Sequence, residues 1–218
     1  MTTKEFVSLE KSLLPEFPGF AIKGPLMFIP PAERLLRGIS FEGSSFDKTS
    51  FSVSMFVMPL CVPTNHLYLN FGNRVRHKGG GDRWNLEMPN LVTELGTALK
   101  LQAMPFLSRV DSLLGFVEVA KSLSGNPHTP KAIAFALARA GQISQAVEVL
   151  DQLLNQLDLN VAWQREIADQ AKAMRAKLVA NPVEAQQQLE AWEAETVHNL
   201  GFDGFLTKPG KLVLVPFS

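Results

Sequence analysis

Cysteine occurs once in this chain, at position 61. One thiol forms no internal disulfide, so the fold must be held by its core. The surrounding run Met58-Pro59-Leu60-Cys61-Val62-Pro63 is apolar, and a lone cysteine there reads as a small buried hydrophobe. A catalytic thiolate needs a base or a cation beside it, and none is adjacent. Charge of one sign is missing too. Twenty-one Lys and Arg balance twenty-one Asp and Glu, so the chain exerts no general pull on nucleic acid or an anionic membrane. No stretch approaches the ~18 consecutive apolar residues of a membrane span, and the opening residues Met1 to Phe6 lack the apolar core of a secretory signal. The expectation is a cytoplasmic protein with no membrane association. Heavy use of Ala, Leu and Gln in the second half suits a bacterial source.

Sequence patterns that carry chemistry are also absent. Gly79-Gly80-Gly81 precedes a helical pattern, but neither GxxxxGK[ST] nor GxGxxG occurs, and Lys78 comes before the glycines instead of after them. No GxSxG elbow exists for a nucleophilic serine. His66, His77, His128 and His198 are scattered, without HxH or HxxxH spacing for a metal. No catalytic residue, cofactor or metal ligand is therefore predicted.

What is present is a change of rhythm near residue 85. Before it, apolar residues alternate or run in short blocks cut by Pro and Gly; after it, they recur at three and four. The fold class this predicts is α+β: an N-terminal helix and an antiparallel meander of about four strands, followed by a C-terminal helical bundle. Residues 1–85 form the helix and sheet, and 86–218 the helical region, the two making one cooperative unit because so small a sheet needs covering.

The expected elements are a helix over 3–14, then strands over 20–29, 35–42, 50–58 and 66–72. The first strand is broken or at an edge, since Gly24-Pro25 interrupts it. Helical stripes follow over 86–101 and 105–122, with Pro105 either starting the second or kinking one continuous helix. Thr129 is the expected cap of a helix over 130–140, with Pro130 at its first position. A turn at Gly141 leads to 144–157, then 161–179 and 182–199, with Gly201 as a stop. Residues 211–215 read as a short final strand.

Alternation places Phe51, Val53, Met55, Leu67, Leu69 and Phe71 on one face of the sheet, against the helices. Ser40, Glu42, Ser52, Ser54, His66, Tyr68 and Asn70 fall on the other. That polar face is either solvent-facing or a pocket floor. In the second case Glu42 and His66 are the acid and base, and Tyr68 and Asn70 the donors. A second candidate is the loop Arg74, Arg76, His77, Lys78, Arg83 and Trp84, where basic residues beside an aromatic suit a protein partner or a phosphate. Glu184, Glu190, Glu193 and Glu195 read as a solvated helix face, and Trp192 as a core anchor.

Ala134, Leu137, Gly141, Ala146 and Leu150 stand at spacings of three, four, five and four, so residues 131–157 resemble a single tetratricopeptide-type helical hairpin. Leu153 stands where a small residue is usual, the closing Pro is missing, and no second copy follows. Such hairpins, in arrays, bind peptides or proteins.

Three functional expectations follow. The first is a non-enzymatic protein-interaction module of regulatory, adaptor or immunity type, using Arg74, Arg76, His77, Arg83 and Trp84. The second is a small-ligand binder or hydrolase-like enzyme using Glu42, His66, Tyr68 and Asn70. The third, ranked last on net charge, is a nucleic-acid binder through the basic loop.

Overall fold

A computed structural model of the chain describes residues 2–123 and 126–206. Its order is a helix α1 (Thr3–Leu13), six short or medium strands, and seven further α-helices among the described residues. The strands are β1 (Ala21–Ile22), β2 (Leu26–Phe28), β3 (Leu35–Gly43), β4 (Ser50–Pro59), β5 (Gly72–Arg74) and β6 (Arg83–Asn85). The helices are α2 (Leu91–Ala98), α3 (Met104–Arg109), α4 (Leu113–Lys121), α5 (His128–Arg139), α6 (Ile143–Gln156), α7 (Ala162–Ala180) and α8 (Pro182–Asn199). The expected class is therefore what forms. The strand expected at 211–215 lies outside the described residues.

All pairings are antiparallel, in the order β1-β2-β3-β4-β5, with β6 also on β4. The centre is the long β3–β4 hairpin, in register from Leu35↔Pro59 to Gly43↔Phe51. The expected strand over 20–29 is two strands, β1 and β2, broken at Gly24-Pro25, and β1 is the edge. The expected strand over 66–72 is not a strand. Residues 66–71 leave the sheet, keeping only the bond from Val57 N–H to the Phe71 carbonyl, and β5 begins at Gly72. Packing overrode alternation here. Phe71 enters the main core, but Leu67 and Leu69 join a second, smaller cluster with Phe28, Phe56, Met58, Val197 and Phe202.

That second cluster corrects the expected polar face as well. Phe56 and Met58 share a face with Ser52 and Ser54, and the end of α8 covers their half of it. Ser40, Ser52 and Ser54 are buried, while Glu42 is exposed. The opposite face contributes Ile39, Phe41, Phe51, Val53 and Val57 to the main core, a continuous cluster that also draws on every helix from α1 to α8. Arg37 lies on this face too, and its Nη1 donates to the Leu107 carbonyl in the last turn of α3 at 2.8 Å, where the helix dipole favours a cation.

Local chemistry explains most helix boundaries. Thr2 and Glu5 form a reciprocal capping box at α1. Residues 86–90 are turn, so α2 starts later than periodicity suggests. Pro105 does not separate two helices, since helical structure runs on from α2 into α3. A π-helical turn over Leu99–Ala103 precedes it, and the wider turn absorbs a residue that has no N–H to give. The expected helix over 105–122 is instead cut at Val110, and Ser112 caps α4 by accepting from Gly115 N–H at 3.1 Å. Thr129 is not a cap: α5 begins at His128, whose N–H donates to Asn126 Oδ1 at 2.9 Å. Gly141 and Gly201 close α5 and α8 with positive φ, +82° and +68°. At both, the next residue donates back five positions, Gln142 to Leu137 and Phe202 to Val197, satisfying orphan carbonyls. Ala134, Leu137, Ala146 and Leu150 are buried between α5 and α6.

Candidate functional site

The loop from Val62 to Phe71 and the first turn of α5 meet around a cavity of about 230 Å3. The loop is fixed from several sides. Phe71 packs edge-on against Phe116 of α4 at 4.9 Å, and Tyr68 packs edge-on against Phe71 at 5.9 Å. Thr64 Oγ1 accepts from His66 N–H and donates to the His66 carbonyl, tightening the turn that presents the imidazole. Asn65 Oδ1 stands 3.0 Å from His66 Nδ1, which favours the tautomer with the proton there and Nε2 bare.

Opposite stands α5, a helix buried almost all round, with consecutive buried residues from Ala132 to Ala138. Its first turn turns polar groups to the cavity: His128, Thr129 and Lys131, beside Ala132. Lys131 is the unusual one, being only 7% exposed. Its Nζ donates to Gln170 Oε1 at 2.8 Å. Burial lowers its pKa from the ordinary lysine value, and Glu166 on α7 partly offsets this without coming within ion-pair distance. His128 is also lowered, first by burial and then by Lys131, and its ring stacks on Trp163 at 6.0 Å.

The four residues expected to share a pocket are divided. His66, Tyr68 and Asn70 line this cavity. Glu42 does not; it borders an adjoining open cleft over Ser54, which Tyr68 and Asn70 also reach. An acid–base pairing of Glu42 with His66 therefore has no common site. The Tyr68 hydroxyl is buried without a hydrogen-bond partner among the described residues, and burial raises its pKa well above the ordinary phenol range. His128, Thr129 and Lys131 were missed because they sit beside the 125–130 break: Thr129 was read as a cap, and His128 as one of four scattered histidines. The signal was Lys131 itself, a cation opening the run Ala132 to Ala138.

The basic loop is arranged differently from a binding patch built around its tryptophan. Trp84 is fully buried, and its Nε1 donates to the Val75 carbonyl at 3.0 Å. A ring at the centre of the fold touches no partner, so Trp84 anchors the loop, and His77 packs on its edge at 5.8 Å. Gln102 clasps the Arg76 backbone through both N–H and carbonyl, at 3.0 and 2.7 Å. Arg74 pairs with Asp82 at 3.5 Å, and Arg74, Arg76 and Arg83 are exposed.

Trp192 stacks on Phe135 at 5.5 Å, as a core anchor does. The acidic face of α8 is not uniformly solvated: Glu193 is buried and ion-paired to Arg139 at 3.0 Å.

Among the described residues no three His, Cys, Asp or Glu side chains converge on a metal position, and no helix is long and apolar enough to cross a membrane. Comparison of the chain with family models, curated proteins and solved structures finds no match.

Proposed function

We propose that this protein binds a small polar molecule in the cavity between the 62–71 loop and α5. The observation that carries the reading is convergence. Two segments far apart in sequence bring His66, Tyr68, Asn70, His128, Thr129 and Lys131 around one concavity, over an apolar floor that includes Val62, Phe71 and Ala132. A few polar groups on an apolar lining are what fix orientation and selectivity in small-molecule sites. At about 230 Å3 the cavity is below the roughly 300–1,000 Å3 typical for drug-sized ligands, so the molecule is small.

The test uses His66→Trp, which fills the mouth from an exposed position. A metabolite panel is screened by thermal shift against both proteins. At least one compound raises the Tm of the parent and not of the plugged variant. A panel of small polar metabolites that yields no such compound removes the reading.

One observation favours a second reading, the protein-interaction module. Phe46 at the tip of the β3–β4 hairpin is 95% exposed on a turn that is locked from within. Asp47 Oδ1 accepts from the Thr49 N–H and hydroxyl at 2.9 and 2.8 Å, and Ser44 Oγ accepts from the N–H groups of Phe46 and Asp47. The Ser50 hydroxyl, donating to Asp47 Oδ2, and then the Thr49 N–H and hydroxyl hold the Asp47 carboxyl down at about 2. A rigid aromatic loses little entropy on docking. Phe46→Ser then weakens a captured partner at least tenfold at unchanged Tm; equal affinity removes this surface.

A further inference from the structure

We infer that the molecule taken up in the α5 cavity carries an oxyanion, a carboxylate or a phosphate, and that Lys131 is its principal ligand. This rests on the small-ligand reading above and names its chemistry.

The argument starts from donors and acceptors. An ammonium has three N–H donors and no acceptor. Lys131 Nζ uses one on Gln170, and among the described residues no carboxylate stands within ion-pair distance of it. Lysine is almost never buried to this degree without a charged partner, because removing an ion from water costs several kcal/mol. Two donors of a desolvated cation in a cavity wall select an oxygen acceptor, and a negatively charged one above all.

The rest of the lining agrees. The backbone donors at the start of α5 are already committed: His128 N–H goes to Asn126 Oδ1, Thr129 N–H to the Asn126 carbonyl, and Pro130 has none. Recognition therefore falls to side chains. The side chains of Thr129 and Asn70 have no hydrogen bond to the rest of the chain among the described residues, and both residues line the same space with neutral donors. No Asp or Glu lines it. Glu42, the nearest candidate acid from sequence, opens on the neighbouring cleft. An anion there meets one buried cation, two imidazoles and neutral donors; the Glu166 carboxylate on α7 acts on Lys131 from outside the lining.

The probes are sodium phosphate and sodium acetate, titrated at constant chloride ionic strength and followed through the imidazole resonances of His66 and His128. The full chain is used, as parent, Lys131→Met and His66→Trp. The parent shows saturable shifts with at least one of the two anions, and whichever binds tighter identifies the headgroup. Lys131→Met, whose chain follows the lysine stem, weakens the response at least tenfold, and His66→Trp abolishes that of His128. Shifts that do not saturate in the parent, or that saturate equally in Lys131→Met, overturn the assignment. If Lys131→Met does not fold, Lys131→Arg serves: retained anion binding supports the assignment, and an unchanged response with a neutral compound alone sinks it. A neutral compound displaced by His66→Trp but held by Lys131→Met leaves the cavity standing and removes the oxyanion.

Discussion

Glu10 is the one carboxylate that α1 turns inward. It lies four residues after Phe6 and three before Leu13, on the apolar stripe that packs toward α2 and β1, and none of its surface is exposed. Neither carboxyl oxygen has a hydrogen-bond partner among the described residues. Desolvation pushes its pKa from 4.5 up to about 8. The folded state therefore holds a proton that the unfolded chain releases, and stability is lost as pH rises. It is fully present below pH 4.5 and gone above about pH 8. At 1.36 kcal/mol per pKa unit the whole excursion is about 5 kcal/mol, a large share of the roughly 5–15 kcal/mol that holds a typical domain together. Glu10→Gln keeps the shape and removes the titration. Urea unfolding of both proteins from pH 5 to pH 9 checks this. The variant's advantage is expected to grow by roughly 1.4 kcal/mol per pH unit up to about pH 8 and then level off. If α1 lifts off before the rest unfolds, the loss appears in its amides first: hydrogen exchange over Phe6 to Leu13 accelerates beyond its intrinsic pH dependence in the parent alone. Parallel stability curves for the two proteins, with no such exchange difference, refute the argument.

Three further outcomes follow from the packing. Cys61 is buried and desolvation raises its thiol pKa above the ordinary range, so a disulfide reagent labels it only after denaturant is added; labelling within seconds in native buffer contradicts this. Arg139→Met leaves Glu193 buried without its cation, at a cost of roughly 3–5 kcal/mol in urea unfolding. Adding Glu193→Gln recovers most of that loss, and additive losses show that the pair is not coupled. Trp84→Phe keeps the ring but frees the Val75 carbonyl, costing about 1–3 kcal/mol, while Trp84→Ala costs about 3–5 kcal/mol; changes under half a kcal/mol place the indole outside the core.

Three of the four helices from 128 onward, α5, α7 and α8, were legible because each ends on local chemistry: Gly141, Asn181-Pro182 and Gly201 all stand where a boundary forms. So was the β3–β4 hairpin, whose Phe51, Val53 and Val57 face the core as alternation requires. The segment 66–72 was misread because Leu67, Leu69 and Phe71 alternate as a strand does while serving two different cores, and pattern alone carries no record of which neighbour a side chain meets. Glu10 and Lys131 were hidden for a related reason. Each is a charged residue at an apolar position of its helix, and a period of three and four assigns such a residue to solvent unless its own place on the stripe is counted. Trp84 lay in a polar, glycine-rich stretch, so its composition described the loop and not the ring that pins it.

The short segment after α8 has a consequence for assembly of the fold. Phe202 and Phe205 each pack near-perpendicular to the Phe28 ring, at 4.9 and 4.8 Å between centroids, and the Phe205 carbonyl accepts from Ala32 N–H at 3.2 Å. One face of the sheet, over β2 to β4, is thus completed by residues that a ribosome delivers long afterwards. Until then Phe28, Phe56 and Met58 lack the cover that Phe202 and Phe205 supply. The turn at Gly201 that aims Phe202 inward therefore joins the late segment to strands laid down early, and closes this face of the sheet.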